Sequence, residues 1–179
     1  RPSDPKTLSC LKSSDDGQVV STGNSRGRRL ALVIGNAQYV RAPEQISVIS
    51  ETHIIARDLG RMGFKLFGDK VWRNQSREQL VALIREFGST ASSYDFAAVY
   101  YAGHLQADEK GYYLVPVDAS IQITRELSGT MVDLQTLASA AAKGGKGLVF
   151  IDTCDALDSR LASEPTQPTD HELSERAPV

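Results

Sequence analysis

Two cysteines in 179 residues are too few for a disulfide-built scaffold. One of them, Cys10, lies in a polar segment, so both Cys10 and Cys154 are read as free thiols. Charge of one sign is also missing in excess, because 20 Lys and Arg stand against 22 Asp and Glu. A near-neutral chain has no field to draw it to nucleic acid or to an anionic membrane surface. No apolar run approaches the roughly 18 residues of a bilayer span, no His/Cys cluster has zinc spacing, and no segment repeats itself. The first residue is Arg1, which reads as a chain trimmed upstream. This leaves a removed signal peptide open and assigns no compartment: a soluble protein, cytoplasmic or exported after loss of that segment.

What is present is enough for one core. With 41% hydrophobic residues, 179 residues build one domain and not two sizeable ones. Residues 1–27 are rich in Ser, Asp, Gly and Pro without apolar period and read as a flexible arm. Residues 161–179 read as a Pro-rich tail or linker, which leaves 28–160 as the domain. Inside it, "RLALVIGN" (Arg29 to Asn36) is a strand, Val48 to Met62 has helical spacing, and "FKLFGD" is a short second strand. Ser76 to Phe87 is a helix opened by a Ser76–Gln79 capping box, and Phe96 to Tyr101 is a third strand. "GYYLVP" (Gly111 to Pro116) is a short strand behind a turn, Thr130 to Lys143 a helix capped at Thr130, and "GLVFID" (Gly147 to Asp152) a fourth core strand. Apolar strands separated by helices predict an α/β sandwich with a mostly parallel sheet.

In such a sheet, ligands bind just beyond the carboxyl ends of the strands, where loops and helix termini converge. The third strand ends at Gly103-His104 and the fourth at Asp152-Thr153-Cys154. If the two are neighbours, imidazole and thiol emerge side by side. Their separation, 154 minus 104, is 50 residues, the spacing of the caspase histidine and cysteine. A lone strand-end histidine or a lone buried cysteine reads as structural; the pair at matching strand ends reads as a site. By contrast, His53 reads as a helix-surface residue, and Tyr100, Tyr101, Tyr112 and Tyr113 read as strand packing with hydroxyls reaching the sheet edge. Asp118 reads as a turn residue. Gly144 to Gly147 runs from helix to strand, the reverse of a phosphate-cradling loop.

Five segments occur in one order over roughly residues 28 to 155: "RRLALVIGNAQY", "ARDLGRMGFKL", "VYYAGH", "YYLVPVDA" and "VFIDTC". On them the chain resembles the caspase-like cysteine peptidases, and their metacaspase and bacterial branch more than the animal caspases, whose "QACRG" signature is missing. The resemblance implies a caspase-like three-layer sandwich whose mostly parallel central sheet is flanked by helices and lacks the small-subunit strands. It also implies a catalytic dyad, with Cys154 as nucleophile and His104 as general acid/base. The chemistry needs both, because a thiol of pKa about 8.5 is mostly protonated at neutral pH and requires a base.

Backbone N–H groups of Cys154 and Leu105 would form the oxyanion hole. The family usually has Gly at the second position, whereas Leu105 keeps the N–H and restricts the backbone angles that aim it. By the same resemblance, Asp152 lies in the floor of the primary specificity pocket. Glu51, in Ser50-Glu51-Thr52, stands where the family carries a second acid, and Ala102 is a further substrate contact. Two carboxylates favour an Arg or Lys side chain. Asp155 follows the cysteine where bacterial relatives often have Arg, and a carboxylate there opposes thiolate formation.

The partners implied are a protein or peptide substrate, and a separate small-subunit fragment or another chain at an open sheet edge. No cofactor is required, and Ca²⁺ activation is open, as in many metacaspases. The chain reads as a large-subunit portion, either cut from a longer chain or a reduced homologue. Two functions follow: a cysteine endopeptidase cleaving after Arg or Lys, or a catalytically impaired pseudopeptidase serving as an interaction domain.

Overall fold

Alternation along two apolar seven-residue runs organises the protein. In the computed structural model, β1 (Arg29–Gly35) and β4 (Phe96–Ala102) lie side by side in parallel, paired from Arg29↔Phe96 to Gly35↔Ala102. The described residues are 27–41, 44–119, 127–153 and 156–158. The arm up to residue 26, the tail over 161–179, Cys10, Cys154 and Asp155 lie outside them.

On β1, Leu30, Leu32 and Ile34 face one side while Ala31 and Val33 face the other, as a period of two requires. The first set joins Leu80, Leu83, Ile84 and Phe87 of α2 (Arg77–Ala91) and Leu137 and Ala140 of α3 (Leu134–Ala141). The second set meets Val48, Ala56 and Leu59 of α1 (Ser47–Arg61). Helices therefore cover both faces of a parallel sheet, the three-layer α/β arrangement expected. Each large side chain so buried contributes roughly 1.5–3 kcal/mol.

Three short or outer strands complete this sheet. β2 (Lys65–Leu66) and β3 (Trp72–Arg73) both pair with β1, and β8 (Lys146–Asp152) pairs with β4, all in parallel. A second, small sheet stands beside it in the order β7 (Val132–Asp133), β6 (Gly111–Leu114), β5 (Leu105–Asp108), β9 (Ala156–Asp158). Its Leu105, Leu114 and Val132 enter the core under α2 and α3.

The helix starts are set by specific caps. Ser76 accepts from the Gln79 N–H at 3.3 Å and its own N–H donates to Gln79 Oε1 at 2.9 Å, the reciprocal box read from the sequence. Asp118 does more than start a turn, since its carboxylate accepts from the Arg77 N–H at 2.9 Å and so tethers the exit of β6 to the start of α2.

Three expectations are corrected. The helix expected from Thr130 begins at Leu134, because Val132 pairs with Leu114 and Asp133 takes the cap by accepting from the Gln135 N–H at 2.7 Å. The strand expected over "FKLFGD" stops at Leu66, and Phe67–Asp69 turns as a 3₁₀ segment with Gly68 and Asp69 at positive φ. β8 is the outermost described strand of its sheet and not a core strand. Its Leu148 and Phe150 are 42% and 47% exposed, since on their face α1 packs over β1 and β4. The short strand expected at Gly111 is β6; the second sheet it belongs to was not foreseen, its other strands being too short to show a period.

Candidate active site

The two strand ends singled out in the sequence are adjacent. Ala102 at the end of β4 pairs with Asp152 at the end of β8, and the Gly103 N–H donates to the Asp152 carbonyl at 3.2 Å. Beyond that point the same two stretches of chain pair again, Leu105 of β5 with Ala156 of β9. Backbone pairing thus brackets Gly103-His104 on one side and residues 153–155 on the other. Cys154 itself lies outside the described residues.

His104 is 2% exposed, and its N–H, its carbonyl and its Nδ1 are all engaged. Its N–H donates to the Tyr39 hydroxyl at 2.8 Å. Its carbonyl accepts from the Val115 N–H at 3.1 Å and the Tyr101 hydroxyl at 3.2 Å. The ring lies 4.5 Å from that of Tyr39, tilted by 45°, and Nδ1 is 3.0 Å from Gln45 Nε2.

Glycine before it is required by space as well as by conformation. Gly103 has φ 154°, and a Cβ there would come within 2.6 Å of the Tyr39 hydroxyl and 2.9 Å of that of Tyr101. Beneath, buried Asn36 donates to the Val115 carbonyl at 3.1 Å and accepts from the Gln75 N–H at 2.9 Å. Burial pushes the Tyr39 hydroxyl up to about 12, partly offset by the His104 N–H that donates to it. Burial likewise pushes Tyr101 well above its ordinary value, helped by the adjacent Tyr39. Both phenols stay neutral and act as hydrogen-bonding braces.

Leu105 opens β5 and is buried. Because the Val115 N–H donates to the His104 carbonyl, Leu105 and Leu114 form a non-hydrogen-bonded pair. The Leu105 N–H is therefore turned away from β6, toward the side on which β9 pairs.

Asp152 and Glu51 come together at one cavity of about 360 Å³, which Glu44 and Gln45 also line. The Tyr100 hydroxyl donates to Asp152 Oδ2 at 2.6 Å, a short charge-assisted bond that fixes the carboxylate. Ala102 does not line this cavity: it is wholly buried, and its carbonyl accepts from the Asn36 N–H at 2.9 Å. A larger cavity of about 580 Å³, lined by exposed His53, Arg57, Lys70 and Arg73, shares no residue with it.

Among the described residues no three His, Cys, Asp or Glu side chains converge as a metal site requires. Nor is any described helix long and apolar enough to cross a membrane.

Sequence reasoning missed Tyr39, Gln45 and the specific part of Tyr100. Alternation on β4 does place Tyr100 and Tyr101 on opposite faces, which was legible. Nothing in the loop around Gln45 marks it.

A model of the caspase domain matches residues 28–177 of the chain. No curated protein matches it.

Proposed function

The chain belongs to the caspase-domain family, a family of cysteine peptidases, and from that premise we propose that it is an endopeptidase working through Cys154 and His104 and cleaving after Arg or Lys. The observation that carries the reading is the double pairing, Ala102 with Asp152 and Leu105 with Ala156, on either side of the two residues. His104 takes the thiol proton, and the thiolate attacks the scissile carbonyl carbon to form a C–S bond. The carbonyl oxygen becomes an oxyanion, for which the Leu105 N–H, turned toward β9, must leave the pairing of Leu105 with Ala156 to be a donor. As the C–N bond breaks, His104 passes its proton to the leaving amine. A water, deprotonated by His104, then attacks the thioester and releases the acid and the thiol.

Selectivity rests on the cavity. Glu44, Glu51 and Asp152 give it negative lining, which favours a guanidinium or ammonium and rejects an aspartate side chain. One observation supports the rival reading of a pseudopeptidase. Leu105 is a strand residue outside the positive-φ positions, so its N–H direction is set by the second sheet.

The test is hydrolysis of Arg-, Lys- and Asp-terminated peptide reporters by wild type and Cys154→Ala, with and without Ca²⁺. Turnover of the basic reporters, lost by about 10³-fold or more in Cys154→Ala, is the expected result. No Cys154-dependent turnover, with no labelling by a thiol-reactive peptide probe, would sink the enzyme reading in favour of an interaction domain.

A further inference from the structure

We propose that the cavity of about 580 Å³ between α1 and the β2–β3 edge of the sheet is a docking site for an acidic peptide segment of a partner protein, one that carries an apolar side chain among its carboxylates. It is independent of the peptidase reading, since it shares no residue with the cavity of Glu51 and Asp152.

The floor is core left uncovered. Ala56 of α1, Leu66 of β2 and Val71 line the cavity, Ala56 as a buried member of the apolar layer between α1 and the sheet, the other two half-buried against it. β2 and β3 are two residues each, with the Phe67–Asp69 turn between them, so no long strand closes this edge. Apolar surface therefore lies at the bottom of a cleft with polar walls.

The rim is cationic, and two elements supply it. His53 and Arg57 stand four residues apart on α1 and share a face. Trp72 of β3 packs into the layer under α2, so alternation turns Arg73 to the α1 side. The Lys70 ammonium lies 4.0 Å from the centroid of the Trp72 ring, a cation–π contact that fixes it. Three permanent cations, Arg57, Lys70 and Arg73, thus line the cavity with one carboxylate, Asp69. Asp58 does not redress the balance, because Arg57 at 3.1 Å and Arg61 at 3.4 Å share it. Among the described residues Lys70 and Arg73 have no ion-pair partner. Like charges gathered in one place repel, and a carboxylate-bearing partner removes that cost.

Shape and chemistry together select the occupant. Every rim side chain is exposed, so the cleft is too open to enclose most of a small ligand, as small-molecule sites do. A peptide covers the rim with its flanks. Single-stranded nucleic acid needs a stacking face, and the Trp72 ring is engaged by Lys70 and by Phe67, stacked at 6.0 Å between centroids. An apolar side chain between Asp or Glu residues meets both demands: it extends the core over Ala56, Leu66 and Val71, and its carboxylates pair with the guanidiniums. The two cavities are opposite in sign, so an acidic stretch that Glu44, Glu51 and Asp152 repel is accepted here.

The test is fluorescence anisotropy of the full chain with a labelled peptide in which a leucine stands between glutamates. Wild type is expected to bind it, more weakly as salt rises. Arg57→Glu and Arg73→Glu are each expected to weaken binding by about tenfold, and glycine in place of the peptide's leucine by about tenfold as well. A lysine-flanked leucine peptide is expected not to bind.

Both arginines are exposed, so the variants are expected to keep the wild-type thermal melt. Arg57→Gln and Arg73→Gln, with a smaller loss in the same direction, replace any charge reversal that unfolds the chain. Equal affinity of wild type and the variant carrying both reversals overturns the proposal. So does failure of the glutamate peptide to bind, equal binding of the lysine or glycine peptide, or tighter binding of a short oligonucleotide. No turnover is measured, so failure here and failure of the peptidase reading are distinguished.

Discussion

β4 and β8 are paired residue for residue over seven positions, yet they occupy opposite situations. β4 lies between β1 and β8 under helices on both faces, and Ala98 and Tyr100 are nearly inaccessible. Their partners on β8, Leu148 and Phe150, are 42% and 47% exposed on the same face. The strand that delivers the imidazole is thus clamped, and its loop is braced by Tyr39, Tyr101 and Asn36. The strand that leads toward Cys154 is held among the described residues by β4 on one edge and by α3 beneath. The role proposed for His104 depends on a fixed ring orientation, and His104 follows the better-packed of the two strands.

Charging each strand breaks this comparison most strongly. Val99→Asp in β4 is expected to cost more than about 4 kcal/mol and to abolish cooperative folding, whereas Leu148→Lys in β8 stays within about 1 kcal/mol. Urea denaturation followed by far-UV circular dichroism measures both. Equal losses would mean that the exposed face of β8 is covered in solution.

A smaller effect separates the two carboxylates at the cavity. Asp152→Asn is expected to lower kcat/KM for Arg-terminated reporters by roughly 10–100-fold, and Glu51→Gln by about tenfold. Asp152 is expected to matter more because Tyr100 fixes it. Kinetics on paired Arg and neutral reporters check this, and a uniform loss on both would count against a specificity role.

The smallest effect is alkaline and belongs to the clamped side. Tyr39 ionises near 10 when unfolded and at about 12 in the fold, so the folded protein holds its proton longer. Its contribution is full below about pH 10, falls by roughly 1 kcal/mol per pH unit above that, and is lost as pH passes through 12. Tyr101 acts in the same direction. Thermal melts between pH 9 and 11 report the slope, and Tyr39→Phe flattens it.

Much of this was legible beforehand. The runs at Arg29–Gly35 and Phe96–Ala102 announce central strands because burial on both faces leaves no polar position. Ser76 and Gln79 announce a helix start because a capping box is a local device. The strand-end placement of His104 and the approach of Asp152 followed from the apolar period. The start of α3 was misread because Val132 is taken by a strand 18 residues away in sequence, at Leu114, a pairing that no local pattern contains. Gln45 was invisible for the same reason, since its partner is 59 residues distant.

By itself, then, the sequence determined the layers of the fold, the strand ends beside which His104 and Asp152 lie, and the family to which the chain belongs. These depend on burial period, capping and local order along the chain. Only the tertiary structure decided that β8 is outermost among the described strands of its sheet, that Leu105 turns its N–H away from β6, that Glu51 and Asp152 share one cavity, and that a glutamine meets the histidine ring. Each of these is a meeting of residues far apart in sequence, and chain packing rather than local preference sets which of them touch.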